Sequence, residues 1–228
     1  MSTGVVIVAA GSGKRMGGQR NKLWLPLAGE PILAHTVRLF ATHPDIDEVV
    51  LVVSEADHAE VMTWLSAEKL TVVATLGGAE RQDSVRNGLA SLSANCDYVL
   101  VHDAARPFVT RKQISDMIKQ VQQDQATIMA VPVKDTIKVV GANGLVESTP
   151  ARESLWAVQT PQAFRMSLLR EAHQAAEAAG KLGTDDAMLI EWLGHPVSIM
   201  HGSYENIKIT TPDDLWFGEE ILRKRKGE

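Results

Sequence analysis

The chain has 228 residues, 45% of them hydrophobic and 22% charged, with a formal net charge of −5. That balance describes a globular protein long enough to bury a sizeable core, and it excludes the disordered and fibrous classes. It also argues against nonspecific nucleic-acid binding, so any phosphate site has to gather its Lys and Arg locally.

Short β-branched runs alternate with longer amphipathic segments. Val5 to Val8 is the first predicted strand. The apolar stretch from Val5 to Ala10 is too short for a signal-peptide core, and no basic region precedes it. A loop of glycines and cations follows, Ala9-Ala10-Gly11-Ser12-Gly13-Lys14-Arg15-Met16-Gly17-Gly18, and then Lys22. Glycines let backbone N–H groups approach a phosphate closely. The loop is not a P-loop, because it lacks Gly-Lys-Ser/Thr after four intervening residues. Nor is it a dinucleotide fingerprint, because Met16 stands where the third glycine belongs and no acid closes the next strand at the right distance. Lys14, Arg15 and Lys22 beside a glycine turn point to a triphosphate. The competing reading is a plain strand–helix turn with solvated cations.

Pro31 opens a helix that runs through Phe40. Val49 to Val53 is the second strand, and Ser54 with Asp57 resembles a capping pair for a helix carrying Val61, Met62, Trp64 and Leu65. Thr71 to Thr75 is the third. It runs into Gly77-Gly78-Ala79-Glu80-Arg81-Gln82-Asp83-Ser84 and a helix from Gln82 to Leu92. Paired glycines there allow backbone contact with a ligand, and Ser84 on the first turn is placed to hydrogen-bond a base or a phosphate. Ordinary loop punctuation accounts for the segment equally well.

Cys96, the one cysteine, permits no intrachain disulfide and suits a reducing compartment; it reads as a small residue at the start of a strand. The fourth strand, Tyr98 to Val101, leads to His102-Asp103-Ala104-Ala105-Arg106-Pro107. In an open α/β sheet, ligands bind beyond the carboxyl ends of the strands. A carboxylate at the tip of a buried strand is costly unless it binds a metal or pairs with a cation. Asp103 is therefore the natural Mg²⁺ ligand, since magnesium takes one or two carboxylates plus substrate phosphates. A salt bridge to Arg106 is the alternative. His102 has no partner that would make it a base and reads as structural.

Thr110 caps a helix carrying Ile114, Met117, Ile118 and Val121, and Thr127 to Val133 is the fifth strand. These near-continuous apolar strands with helices between them predict an α/β fold, a mostly parallel sheet covered by helices on both faces. The pattern then changes. Thr136 to Val140, the turn Gly141 to Gly144, and Leu145 to Glu147 predict a hairpin arm leaving the body. Met166 to Ala179 and Asp185 to Leu193 are helical, and Val197 to Met200 and Ile207 to Ile209 are strands. Thr211-Pro212-Asp213-Asp214 starts a last helix, whose basic end from Arg223 to Lys226 suits the negative pole. No run approaches the roughly 20 apolar residues of a membrane span. A cytoplasmic location is the expectation.

Taken in order, these motifs resemble the 2-C-methyl-D-erythritol 4-phosphate cytidylyltransferase family over nearly the whole chain. The match comprises Ala9-Ala10-Gly11-x-Gly13-x-Arg15-Met16, Lys22, Gly77-Gly78-x-x-Arg81-x-x-Ser84 and Val101 to Pro107. It continues through Pro132-Val133-x-Asp135-Thr136, Arg152, Thr160-Pro161-Gln162, Thr184 to Ala187 and Asn206 to Thr210. Asn21 departs from it, standing where many relatives carry proline, as does Ala79, where some carry an acid.

The resemblance implies a Rossmann-like nucleotidyltransferase fold, one domain over residues 1–228, with residues 136–155 as a protruding β-hairpin arm. It implies a homodimer whose arms reach over the neighbouring subunit, and transfer of CMP from CTP to 2-C-methyl-D-erythritol 4-phosphate with Mg²⁺ on Asp103. Arg15 and Lys22 would stabilise transition-state charge. Lys208, with Arg152 of the other subunit, would hold the acceptor phosphate. Backbone groups of Ala9, Ala10, Gly78 and Ala104, with Ser84, would read cytosine, and Gly11, Gly13 and Arg81 join the substrate-binding set. Thr136, Arg152 and Arg106 would complete the neighbour's site. Thr160 and Thr184 would contact the acceptor; local turn formation and helix capping are their alternatives. The rival readings are a ribitol-5-phosphate cytidylyltransferase, an enzyme joining a nucleotide to a molybdenum cofactor or a sugar 1-phosphate, and a catalytically silent nucleotide-binding module.

Overall fold

The computed structural model describes residues 1–11 and 21–227. Its first strand, β1 (Thr3–Val8), leads through the short pair β2 (Pro26–Leu27) and β3 (Glu30–Pro31) to α1 (Ile32–Ala41). Next come β4 (Glu48–Val53), α2 (Glu55–Glu68), β5 (Val73–Leu76), α3 (Arg81–Ser91), β6 (Tyr98–Asp103), α4 (Arg111–Asp124) and β7 (Ala126–Pro132). The hairpin β8 (Val139–Val140) and β9 (Val146–Ser148) follows, then β10 (Trp156–Arg165), α5 (Met166–Ala178), α6 (Asp186–Trp192), β11 (Ser198–His201) and α7 (Pro212–Lys226).

Seven strands form one sheet in the order β11-β7-β10-β6-β1-β4-β5. Neighbours run parallel except β10, which is antiparallel to both β6 and β7. The alternation of side chains along a strand divides the core in two. Val5, Ile7, Leu51 and Leu100 pack with Phe40, Val61 and Met117 from α1, α2 and α4. Val6, Val52 and Val101 face the other way, onto Val85, Leu169 and Ile190 from α3, α5 and α6. Each such side chain, buried completely, contributes about 1.5–3 kcal/mol. This is why the strands read as continuous apolar runs.

The expected caps form. Ser54 accepts from the Asp57 N–H, Thr110 from Gln113, and Thr211 from Asp214. The hairpin turns at Gly144, whose φ of 78° lies in the left-handed region that favours glycine.

Three sequence expectations are corrected. The strand predicted over Thr136 to Val140 is reduced to Val139–Val140. Ile207 to Ile209 is not a strand: Ile209 is buried, and its N–H bonds the Ala105 carbonyl at 2.8 Å as part of a loop. Trp156–Arg165, for which no strand was expected, is the ten-residue β10. Its polar residues hide it. Gln162 is buried, donating to Asp185 at 2.8 Å and accepting from the Asp186 and Ala187 N–H groups. Gln159 donates to the Ser203 carbonyl at 2.8 Å. Pro161 falls where the β7–β10 register shifts, a tolerated place for a residue that cannot donate.

Candidate active site

The carboxyl ends of β1, β5 and β6 open onto a cavity of about 520 Å³. Each end is tied to its neighbours. The Ala9 N–H bonds the Val52 carbonyl at 2.7 Å, Gly77 N–H bonds Val53 at 2.9 Å, and Ala104 N–H bonds Val8 at 3.0 Å. The chain after β5 needs its glycine. A Cβ on Gly77 would lie 2.5 Å from that of Ala10 and 2.8 Å from the Ser84 hydroxyl. Ser84 then fixes the turn, its Oγ accepting from the Gly78 N–H and donating to the Glu80 carbonyl, both at 3.1 Å.

Asp103 ends β6 at the floor of this cavity, surrounded by cations. Lys208 Nζ is 2.7 Å from its carboxylate, Arg81 Nε 3.6 Å and Arg106 Nε 4.0 Å. Burial works to raise this carboxyl, but Lys208, Arg81 and Arg106 outweigh it and hold it down at about 2. Lys208 reaches it because the loop before α7 docks through Ile209 onto Ala105. Lys22, on a helical turn capped by Asn21, donates to the Ile209 carbonyl at 2.6 Å and so joins the same cluster. Asn21 also donates to Asp57 at 2.7 Å and to the Gly11 carbonyl at 3.3 Å.

Behind Asp103 the polar groups are neutral. His102 is fully buried, its Nε2 against the Arg106 carbonyl at 3.0 Å and its Nδ1 against the Thr160 hydroxyl at 3.1 Å. Burial pushes the imidazole down to about 4, so it is uncharged at neutral pH. Thr160 Oγ1 also accepts from the Asp103 N–H at 3.0 Å. His102 is structural, as the sequence suggests.

Of the residues expected in the site, Ala9, Ala10, Gly11, Lys22, Gly78, Arg81, Ser84, Asp103 and Lys208 line the cavity together. Gly13 and Arg15 lie outside the described residues. Ala104 is buried beneath, its carbonyl accepting from Thr36 at 2.8 Å, and Thr160 spends its hydroxyl on Asp103 and His102. Arg106 is turned to the Asn206 carbonyl at 2.8 Å. Thr136 and Arg152 are exposed on the arm, and Arg152 donates to the Lys134 carbonyl at 3.0 Å. Thr184 lies before α6 with its hydroxyl 3.7 Å from Met188 Sδ; the cap of α6 is Asp185, not Thr184. Asp186, which sequence reasoning assigned no role, is bonded to Arg81 at 2.7 Å. Glu80 and Thr210 also border the cavity unannounced.

Comparison with known proteins agrees over the full length. A family model described as 2-C-methyl-D-erythritol 4-phosphate cytidylyltransferase matches residues 3–224. The chain is 49% identical to the protein of that name from Geobacillus kaustophilus, covering 100% of both chains. It is 46% identical to the one from Alkaliphilus metalliredigens, covering 97% of this chain and 93% of that one. Among solved structures, the 4-diphosphocytidyl-2C-methyl-D-erythritol synthase of Anaerococcus prevotii superposes with a TM-score of 0.87 at 30% identity, covering 97% of this chain and 98% of its own. The Thermus thermophilus cytidylyltransferase gives 0.81 at 34% identity, covering 98% and 100%.

Proposed function

Because the chain belongs to the 2-C-methyl-D-erythritol 4-phosphate cytidylyltransferase family, we propose that the cavity at the ends of β1, β5 and β6 seats CTP and that the cations around Asp103 carry catalysis. The enzyme is a nucleotidyltransferase of isoprenoid precursor biosynthesis. It transfers CMP from CTP to 2-C-methyl-D-erythritol 4-phosphate, giving 4-diphosphocytidyl-2-C-methyl-D-erythritol and pyrophosphate. The observation that carries the site assignment is the gathering of Lys208 and Arg81 around one ionised carboxylate at the cavity, with Lys22 lining the same cavity.

In the reaction an oxygen of the acceptor phosphate bonds to the α-phosphorus as the bond from that phosphorus to the bridging oxygen of the β-phosphate breaks. An ionised phosphate needs no strong base, and no histidine is among the described residues lining the cavity. The difficulty is bringing two polyanions together, so positioning and charge neutralisation dominate. Lys22, with Arg15, offsets charge developing at the α-phosphate and the leaving pyrophosphate. Lys208 holds the acceptor phosphate as a compact charge. The backbone of Ala9, Ala10 and Gly78 faces cytosine, in a loop shaped by Ser84.

The donor set fits a magnesium ion. Asp103 is ionised and borders the cavity, and magnesium draws most of its oxygens from phosphates and water. Asp103 would hold it, and its charge would offset that of the triphosphate. The arm carries Ile137, Val139, Val140, Leu145 and Val146 exposed to solvent, which supports a homodimer in which Thr136 and Arg152 reach the partner's acceptor site. No helix among the described residues is long and apolar enough to cross a membrane, in keeping with a cytoplasmic enzyme.

Pyrophosphate release from CTP and Mg²⁺ is the direct test, with parallel reactions holding methylerythritol 4-phosphate, ribitol 5-phosphate or no acceptor. Release with methylerythritol 4-phosphate alone is expected. Release with ribitol 5-phosphate alone would keep the chemistry and overturn the acceptor.

A further inference from the structure

Arg81 is the residue through which the cavity reaches into the core. It is the first residue of α3, and its guanidinium spans two carboxylates. Nε is 3.6 Å from Asp103, which borders the cavity, and Nη1 is 2.7 Å from Asp186, which does not. Asp186 is 1% exposed, on the first turn of α6. Its other oxygen lies 3.4 Å from Nε2 of His173, a buried residue of α5 whose ring nitrogens have no hydrogen-bond partner among the described residues. Its backbone N–H is held by Gln162 at 3.2 Å. Burial works to raise the Asp186 carboxyl, yet Arg81 and His173 outweigh it and lower it below the ordinary value.

A buried ion pair is a poor source of stability, because desolvation commonly cancels its attraction. What this one supplies is orientation. Arg81 is a long side chain at the cavity edge, 30% exposed, with many rotamers to lose on binding an anion. With Nη1 fixed on a core carboxylate and Nε towards Asp103, the guanidinium meets the cavity already set. Preorganisation of this kind improves binding by cutting the ordering cost.

We propose that Asp186 is a positioning residue for Arg81, backed by His173, and that this contact between α6 and α3 sets the affinity for CTP. The inference rests on the reading of the cavity as the CTP seat. The test is calorimetric CTP binding with steady-state kinetics and thermal melting for wild type, Asp186→Asn, Arg81→Met and the double variant. Asp186→Asn should weaken CTP binding about 10-fold, the scale of one lost ordering contact, and leave the acceptor KM unchanged. Arg81→Met should weaken it at least as much. The double variant should match Arg81→Met within about twofold, because Asp186 acts only through Arg81. Full additivity, or CTP affinity unchanged in Asp186→Asn, would overturn the proposal. If Asp186→Asn does not melt cooperatively, Asp186→Glu keeps the charge and displaces the guanidinium. It should still weaken CTP binding, and wild-type affinity there would refute the role. Wild-type protein that binds no CTP would instead sink the reading of the cavity itself.

Discussion

Asp103 is a carboxylate at the end of a buried strand, and the surrounding cations decide its state. Desolvation alone would raise its pKa. Lys208, Arg81 and Arg106 reverse that. Two of these cations, Lys208 and Arg81, also line the cavity proposed to seat CTP. Lys22→Ala and Lys208→Ala should each lower kcat about 10²–10³-fold, the scale for removing one preorganised charge from a transition state. Lys22 is partly exposed, so melting of its variant should change little, whereas Lys208→Ala removes the nearest counter-charge of buried Asp103 and should lower the melting temperature as well. Near-wild-type turnover in either variant would remove that residue from the mechanism. Cys96 is the opposite case. Burial pushes its thiol up to about 11, and Sγ donates to the Tyr98 carbonyl at 3.0 Å. The folded pKa is raised, so its contribution to stability is present below pH 9 and lost as pH rises through about 11. At pH 8 the folded protein should therefore resist a disulfide reagent that labels the urea-unfolded chain at once. Rapid labelling of the native protein would show that the core around Cys96 opens.

At the level of elements, the sequence reads well wherever one physical demand dominates. Strands buried on both faces need continuous Val, Ile and Leu, and β1, β4 and β6 have them. Helix starts need caps, and Ser54, Thr110 and Thr211 announce them. β10 stays hidden because its interior positions carry Gln159, Thr160 and Gln162, polar side chains that only the finished fold can satisfy. Asp186 was missed for a related reason: it serves another residue, and nothing in spacing pairs it with Arg81 across 105 positions. Thr160 and Ala104, which the family resemblance makes substrate contacts, lie in the interior of β10 and just beyond β6, and both are engaged by neighbours within the fold. The arm was legible from the turn Gly141 to Gly144 and the short runs on either side of it, and the proposed homodimer is what would give it a use. Val139→Ser combined with Leu145→Ser should shift the protein to monomer in sedimentation and raise the acceptor KM while CTP binding persists. A dimer of unchanged affinity would refute the arm's role in assembly.

At the level of the whole molecule, an acidic chain holds a basic site. The net charge of −5 repels a triphosphate at long range, but charges farther off than about 8 Å are largely screened at physiological salt, so the local cluster governs binding. That cluster is built at the one edge where the ends of β1, β5 and β6 converge, and the loop before α7 closes it. No group of three or more His, Cys, Asp or Glu among the described residues could hold a metal by itself. Asp103, the carboxylate most in need of a cation, already has protein cations to balance it. A divalent metal should thus matter to the reaction and not to folding. EDTA should abolish pyrophosphate release yet leave the melting temperature within about 1 °C, since even 1 kcal/mol moves a protein of this size by about 2–4 °C. CTP with Mg²⁺ at 100 times its Kd should stabilise by about 2.7 kcal/mol, a rise of roughly 5–10 °C, and CTP with EDTA by less. A fall of several degrees on adding EDTA alone would mean that a metal is part of the fold, and that the balance of charge around Asp103 has been misread.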